Sequence, residues 1–211
     1  MSPTIAKPQT ENHPLQPFLP PNAKLLLLGS FPPPQARWCM DFFYPNFQND
    51  MWRIMGQVFF GDTLHFVEPS PKLKFRYEAI VDFCRTKGIA IYDTAQVVRR
   101  LQGNASDEHL EVVQPTDIAA LLRQLPTCHD ICCTGLKAAE TLSMRLQCPI
   151  PKVGTYVETT FDLTYDASHI THSPALQVRF WRMPSTSRAY PLSLNAKAAT
   201  YQQMMEKVGL L

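Results

Sequence analysis

The sequence contains little glycine, 8 residues of 211, compared with the roughly 7% found in average proteins. It also lacks the glycine at every third position that a collagen helix requires. Apolar residues make up 45% of the chain and aromatic residues 10%, which is too much apolar character for a chain that is disordered throughout. These features exclude a fibrous or low-complexity chain and predict a globular protein that is long enough to bury a core.

The chain also lacks the features of a membrane, secreted or metal-binding protein. The longest apolar run, Leu25–Leu28, is far shorter than the ~20 residues that span a bilayer, and the first twenty residues contain no apolar signal core. No two of the six cysteines form a C-x-x-C pair, which disfavours a metal site built on Cys128, Cys132, Cys133 and Cys148. We therefore expect a soluble, reduced, cytoplasmic protein that uses no metal and no cofactor and has no membrane partner.

Acidic residues are missing from a long stretch near the C-terminus. No aspartate or glutamate occurs between Asp166 and Glu206, and Glu11 is the single acid in residues 1–40. If these two regions meet in the fold, their basic side chains form a positive face, although such a stretch can also arise by chance. The basic residues between 166 and 206 are Arg179, Arg182, Arg188 and Lys197, accompanied by His169 and His172.

Proline, in contrast, is abundant. The chain has 19 prolines where about 5% is typical, and nine of them lie in residues 1–34. The polar and proline-rich residues 1–23 predict an extended N-terminal arm, with Leu15, Phe18 and Leu19 docked on the body. Residues 24–211 are predicted to form a single α/β domain.

Short apolar runs alternate with amphipathic segments along residues 24–211. This alternation predicts an α/β fold with three layers (αβα) around a central, mostly parallel four-stranded sheet. Residues 152–166 alternate in polarity like a β-hairpin or an edge segment. The predicted strands are Leu25–Leu28, Ile89–Tyr92, Asp130–Thr134 and Val178–Met183, and the predicted helices span about 49–58, 75–87, 115–125, 135–146 and 195–208.

The residues that follow the four predicted strands are small or polar. In open sheets of this kind, ligands bind at the carboxyl ends of the strands. We therefore expect these four segments to meet around a binding site. They read Gly29-Ser30-Phe31-Pro32, Asp93-Thr94, Thr134-Gly135 and Pro184-Ser185-Thr186-Ser187.

Two motifs of the sequence resemble a known family. Residues 28–56 contain a strand that ends G-S-x-P, the aromatic stretch Phe42-Phe43-Tyr44-Pro45 and then N-x-x-W-R-I-M. This order is similar to the first motif of the uracil-DNA glycosylase superfamily. Residues 183–189 (MPSTSRA) resemble its second motif, a loop that enters the DNA minor groove. The resemblance is closest to the branch of mismatch-specific uracil and hypoxanthine-DNA glycosylases, and it covers roughly residues 24–208.

The resemblance makes Asn49 the catalytic candidate. An amide is not a strong base, so Asn49 would orient water or hold a carbonyl of the base. Asp50 could instead assist the water or stabilise the sugar cation. The alternative for both residues is a helix N-cap. Phe31 stands where relatives of the mismatch-specific enzyme often have their catalytic asparagine, which favours a mechanism through Asn49.

The resemblance also implies a pocket for a base that has been flipped out of DNA. Aromatic side chains there could stack on the base or could belong to the ordinary core. The carboxylate of Asp93 would accept from an N–H of uracil or hypoxanthine, or it would cap a following helix. The implied substrate-binding residues are Gly29, Ser30, Phe31, Pro32, Phe43, Tyr44, Asp93 and Ser185.

Residues 184–188 form the implied DNA-binding loop, in which Thr186, Ser187 and Arg188 contact DNA. The loop lacks a bulky apolar wedge, so Arg188 or Tyr190 would fill the gap that the flipped base leaves. The alternative is a plain loop of serine and proline without a DNA contact.

The sequence thus predicts a monofunctional DNA glycosylase of base excision repair. This hydrolase would flip a deaminated base out of DNA and hydrolyse its N-glycosidic bond. Its expected partner is DNA that contains a deaminated or mismatched base, and we expect a monomer. Two alternatives stay open: a non-catalytic nucleic-acid-binding module on the same fold, and an α/β enzyme that acts on free nucleosides.

Overall fold

The computed structural model of the protein describes residues 9–69, 71, 73–102, 109–163 and 175–211. The strands are β1 (Thr10–Asn12), β2 (Leu25–Gly29), β3 (Ile89–Asp93), β4 (Ala95–Arg100), β5 (Leu110–Pro115), β6 (Asp130–Thr134), β7 (Thr155–Phe161) and β8 (Leu176–Met183). The helices are α1 (Met51–Phe60), α2 (Tyr77–Lys87), α3 (Ile118–Leu122), α4 (Leu136–Leu146) and α5 (Leu194–Val208), and a short 3-10 turn spans Gln35–Arg37.

Five strands form the central sheet, in the order β3-β2-β6-β8-β7. The first four are parallel to one another, and β7 pairs antiparallel with β8 at one edge. The α/β fold class with a mostly parallel central sheet is therefore confirmed, whereas the predicted count of four strands is one too few. The fifth strand lies in the segment that was expected to form a hairpin or an edge, and all its residues except Phe161 are exposed or half-buried.

Burial of both faces of the sheet explains the unbroken apolar run of β2. All residues of β2, β3 and β6 are buried, as is typical of parallel strands that are covered on both faces. α1 packs against α5, α2 packs against β3, and α4 packs against β6. The core is therefore a layer of apolar strand residues between helices, which is the three-layer arrangement that the sequence predicts.

A second, smaller sheet of β1, β4 and β5 was not expected from the sequence. β4 and β5 pair antiparallel, and Ala95, Val98 and Leu110 form a separate small core between them. β4 is difficult to predict from the sequence, because the charges of Arg99 and Arg100 suggest exposed side chains. In the structure, both arginines are paired with glutamates, and Arg100 is buried.

Four of the five helices lie within two residues of the predicted bounds. The exception is α3, which is shorter than the predicted 115–125 because Pro115 belongs to β5. Asp117 precedes α3 and caps it by accepting a hydrogen bond from Ala120 N–H at 3.0 Å. None of the described helices is both long and apolar enough to cross a membrane.

The described N-terminal residues run along the edges of both sheets. β1 pairs antiparallel with β4, and Phe18 exchanges two backbone hydrogen bonds with Ile91 of β3. Leu15, Phe18 and Leu19 pack against the main core. This segment therefore covers part of the open edge of β3, where unpaired N–H and C=O groups would otherwise remain.

Leu27→Ala should lower the free energy of unfolding by about 2–5 kcal/mol, because Leu27 is 1% exposed in the inner strand β2 and its truncation leaves a cavity. Urea unfolding measures this change. Leu64→Ala removes the same atoms from a side chain that is 60% exposed, and it should change the free energy by less than about 0.5 kcal/mol. Similar losses in the two variants would contradict the burial of β2 inside the sheet.

Candidate active site

The carboxyl ends of the parallel strands open into a cavity of about 700 Å³. All eight residues predicted to bind substrate line this cavity, and so do Asn49, Thr186 and Ser187, whereas Asp50 and Arg188 do not. The loops after parallel strands converge at this edge of a sheet, which is why ligand sites are common there. The eight residues are Gly29, Ser30, Phe31, Pro32, Phe43, Tyr44, Asp93 and Ser185, and they are joined by Arg37, Asn46, Thr134 and Tyr190.

Gly29 leaves room at the end of β2 for the side chain of Asp93. Gly29 pairs in register with Asp93 of β3, and a Cβ atom on residue 29 would collide with Oδ1 of Asp93. The carboxylate of Asp93 occupies the space that a side chain would fill, and it lines the cavity although the residue is 6% exposed. The alternative role of Asp93 as a helix cap is wrong, because β3 is followed by β4 and not by a helix.

The direct partner of Asp93 is His13, which the sequence analysis missed. Nε2 of His13 lies 2.9 Å from Oδ2 of Asp93, and the His13 side chain is 2% exposed. The N-terminal segment therefore contributes a buried titratable group next to the cavity. No sequence signal indicates this contact, because the two residues are 80 positions apart and His13 lies in a proline-rich stretch.

Tyr44 has a backbone conformation that few residues other than glycine adopt, with a φ of 51°. Its hydroxyl lies 2.9 Å from Oγ1 of Thr134, at the end of β6. Burial, and to a lesser degree the charge of Asp93, raises the pKa of Tyr44 well above its usual value of 10, so the hydroxyl keeps its proton. Strained residues of this kind persist where the surrounding structure holds a side chain at a site.

The three aromatic residues predicted to stack on a base differ in exposure. Phe43 is 3% exposed and packs edge-on against Phe42 and Tyr92, so it belongs mainly to the core. Phe31 and Tyr44 are half-buried and line the cavity. Of the three, Phe31 and Tyr44 therefore offer accessible aromatic surface in the cavity.

Arg100 supports the loop after β2, and the sequence analysis did not assign it this role. Its Nη2 donates to the carbonyl of Pro32 at 2.6 Å, and its Nε donates to Glu11 of β1. The guanidinium carbon lies 5.6 Å from the centre of the Phe31 ring. Arg100 therefore holds two cavity residues from behind, and only the unexpected strand β4 brings it there.

Asn49 lines the cavity directly before α1. Its Oδ1 accepts a hydrogen bond from Met51 N–H at 2.9 Å, which satisfies a free N–H of the helix and fixes the orientation of the amide. The described residues give Nδ2 no hydrogen-bond partner, so its two N–H donors are available to a ligand. Asn49 thus bonds to the first turn of α1 and lines the cavity at the same time.

Asp50 is part of an ion cluster, which we define as the buried residues Asp50 and Lys197 together with the exposed residue Arg188. Oδ2 of Asp50 accepts from Nζ of Lys197 at 3.0 Å, and Oδ1 accepts from Nε of Arg188 at 3.1 Å. Asp50 is 5% exposed and Lys197 1%. Both carboxylate oxygens are occupied by cations and the side chain makes no helix-capping bond, so the geometry supports neither the role in water activation nor the cap.

The ion cluster fixes the loop that follows β8. Thr186 O accepts from Asp50 N–H at 2.9 Å, and Ser187 O accepts from Nζ of Lys197 at 2.8 Å. Of the three residues predicted to contact DNA, Thr186 is 2% exposed, whereas Ser187 and Arg188 are exposed. The loop is therefore held in place with two of these residues at the surface.

The segment without acidic residues does not form one free positive surface. Arg179 pairs at 2.6 Å with Asp130, and Lys197 is buried in the ion cluster. Among the described residues, the cation that lines the cavity is instead Arg37, which is exposed in the 3-10 turn. His169 and His172, which belong to the same segment, lie outside the described residues.

The cavity therefore belongs to a three-layer αβα fold with its candidate site at the carboxyl edge of the sheet. No family model and no curated protein matches the chain. Among solved structures, the fold is similar to that of a Methanosarcina acetivorans protein described as a "putative Uracil DNA glycosylase" and solved by solution NMR. The TM-score is 0.58 at 19% sequence identity, and the match covers 92% of this chain and 98% of that chain. At this identity the similarity defines the fold alone.

Lys197→Met should lower the free energy of unfolding by about 3–5 kcal/mol, because it leaves the buried carboxylate of Asp50 without its buried cation. The double variant Lys197→Met with Asp50→Leu should recover a large part of this loss, since no unpaired charge then remains buried. Urea unfolding of the single and double variants measures the coupling.

Arg188→Met is the matched control for the ion cluster. It removes the other cation, whose side chain is 46% exposed, and it should cost about 0–1 kcal/mol. Equal losses for Lys197→Met and Arg188→Met, or a double variant whose losses simply add, would contradict the buried pairing of Asp50 with Lys197.

Proposed function

We propose that the protein is a monofunctional DNA glycosylase of the uracil-DNA glycosylase superfamily, which removes a deaminated base in base excision repair. The observation that carries this proposal is the composition of the cavity. Eleven residues from four separate segments of the chain, all selected by their resemblance to that superfamily, line one cavity of about 700 Å³. This volume is within the range of small-molecule sites. The shared fold with a protein described as a uracil DNA glycosylase adds support.

The reaction replaces the bond between C1′ of the sugar and the base nitrogen. Water adds to C1′, and the base leaves with the bonding electrons and takes up a proton. The site must therefore position water and accept the negative charge that develops on the base. We assign this role to Asn49, whose Nδ2 donors suit a carbonyl oxygen of the base or the attacking water, because its Oδ1 is held by Met51.

Recognition of the base falls to Asp93 and the aromatic walls. A carboxylate accepts hydrogen bonds, so Asp93 suits the imide N–H of uracil or N1–H of hypoxanthine. Cytosine and adenine present a lone pair at that edge, and a carboxylate disfavours them. Phe31 and Tyr44 supply stacking surfaces, each contact contributing ~1–3 kcal/mol. These features favour the two deaminated bases over their normal parents.

The cavity favours hydrolysis without a lyase step. A lyase needs a free amine that can form a Schiff base with the sugar. None of the described residues that line the cavity is a lysine, and Lys197 nearby is held in the ion cluster. Water is therefore the nucleophile in the proposed reaction.

The surface around the cavity suits a DNA duplex with one nucleotide flipped out. Ser187 and Arg188 are exposed beside the cavity, and Arg37 adds a positive charge to its lining, which suits contacts with phosphates. Arg188 is bonded to Asp50, whereas Tyr190 lines the cavity. We therefore assign Tyr190 to the gap that the flipped base leaves. We place the protein in the mismatch-specific uracil and hypoxanthine branch, acting as a monomer in the cytoplasm.

Asn49→Ala should lower the rate of base release by about 10²–10³-fold, because a fixed hydrogen-bond donor is lost at the reacting centre. The assay uses duplex and single-stranded oligonucleotides that contain uracil, hypoxanthine, xanthine or a G·T mismatch, and alkali cleavage reports the abasic product. Asn22→Ala is the control. Asn22 lies just before β2, at the opposite end of the sheet, and its Nδ2 donates to Arg85 O. Its removal should leave the rate unchanged.

The outcomes separate the alternatives. If the unaltered protein releases no base from any substrate, the proposed function is wrong. Gel shifts at two salt concentrations then identify a non-catalytic module by salt-sensitive binding without lesion preference, and base release from free nucleosides identifies a nucleoside hydrolase. An Asn49→Ala variant as active as the unaltered protein would contradict the assignment of Asn49.

A further inference from the structure

His13 comes from the N-terminal segment, yet its side chain is enclosed behind the wall of the cavity. The ring is 2% exposed and its centre lies 4.5 Å from that of Tyr92. Phe31 packs edge-on against it at 5.2 Å, and Phe43 lies at 6.2 Å. Because Phe31 and Phe43 line the cavity, His13 forms the next layer of the structure behind them.

Both ring nitrogens of His13 have defined partners. Nε2 lies 2.9 Å from Oδ2 of Asp93, and a carboxylate can only accept, so Nε2 carries a proton and donates it. Nδ1 lies 3.1 Å from the nitrogen and 2.9 Å from the oxygen of Leu15. A neutral ring accepts from Leu15 N–H, and a protonated ring donates to Leu15 C=O. The Nε2–H bond to Asp93 is therefore preserved in both charge states of the ring.

The contact with His13 occupies one of the two oxygens of Asp93. Oδ1 lies over Gly29 at the end of β2, and no described residue donates a hydrogen bond to it. With Oδ2 engaged, the carboxylate cannot rotate freely, and Oδ1 is left to accept a bond from a ligand in the cavity. A base that carries an N–H at its edge satisfies this oxygen, and a base with a lone pair there does not.

We propose that His13 is a positioning residue, which holds the carboxylate of Asp93 in place as a hydrogen-bond acceptor for an N–H of the flipped base. This inference rests on the proposed function and deepens it, because it assigns base selection to a pair of residues. It also makes the N-terminal segment part of the active site. Without His13, Oδ2 of Asp93 loses its donor, and the carboxylate can rotate away from the base.

His13→Phe should lower the single-turnover rate of uracil or hypoxanthine release by about 10–100-fold, the range typical of losing a partner that orients a site residue. Phenylalanine keeps the aromatic packing but has no donor for Asp93. His13→Gln should restore a large part of the rate, since its amide N–H can replace Nε2–H. His129→Phe makes the same change at the opposite end of the sheet, before β6, and should have no effect.

A double-mutant cycle with Asp93→Ala, which removes both oxygens, separates positioning from general support of the fold. If His13 acts through Asp93, His13→Phe causes no further loss in the Asp93→Ala background. Thermal unfolding confirms that each variant is folded, and His13→Leu replaces His13→Phe in the cycle if the larger ring unfolds the protein. Losses that multiply, or a His13→Gln variant as impaired as His13→Phe, would overturn the inference.

The cycle also distinguishes this inference from the proposed function. An unaltered protein that releases no base overturns the proposed function and the inference with it. An active unaltered protein whose rate is unchanged by His13→Phe overturns the inference alone.

Discussion

Gly29 and Asp93 pair in register where β2 and β3 end, and the carboxylate of Asp93 occupies the space that a side chain on residue 29 would take. The rest of the cavity is arranged around this contact. His13 bonds to Asp93 from the protein side, and the charge of Asp93 helps to raise the pKa of Tyr44. Thr134 lies at the end of β6, on the other side of β2, and its Oγ1 bonds to the Tyr44 hydroxyl. A single position without a side chain thus lets three strand ends contribute to one site.

Prolines, and side chains that bind the carbonyl groups of those prolines, stiffen the loops around the cavity. Prolines fix φ and leave carbonyl groups that side chains can bind. Trp38 Nε1 donates to Pro33 O at 2.7 Å, and the hydroxyl of Tyr201 donates to Pro184 O at 3.0 Å. The ion cluster links the start of α1 to the loop after β8. A preformed cavity of this kind loses little conformational entropy when a ligand binds.

Features that depend on local sequence patterns were predicted, whereas features that depend on contacts between distant residues were missed. The fold class followed from the alternation of apolar runs and helices, and the set of cavity residues followed from strand ends and a motif resemblance. The strand β4 was missed because Arg99 and Arg100 look exposed until Glu111 and Glu11 are placed beside them. His13 was also missed, because its contact with Asp93 joins residues 80 positions apart and leaves no local signal in the sequence. Asp50 follows Asn49 in the motif, but its carboxylate is paired with Lys197, a buried lysine of α5 that lies far from it in the sequence.

The central claim is that the cavity at the strand ends binds a deaminated base. The most direct measurement is a structure of the protein with free uracil or hypoxanthine. We predict that the base stacks on Phe31 or Tyr44, with a ring N–H on Oδ1 of Asp93 and a carbonyl oxygen on Nδ2 of Asn49. A base bound outside this cavity, or a cavity that stays empty at saturating concentrations of both bases, would contradict the claim.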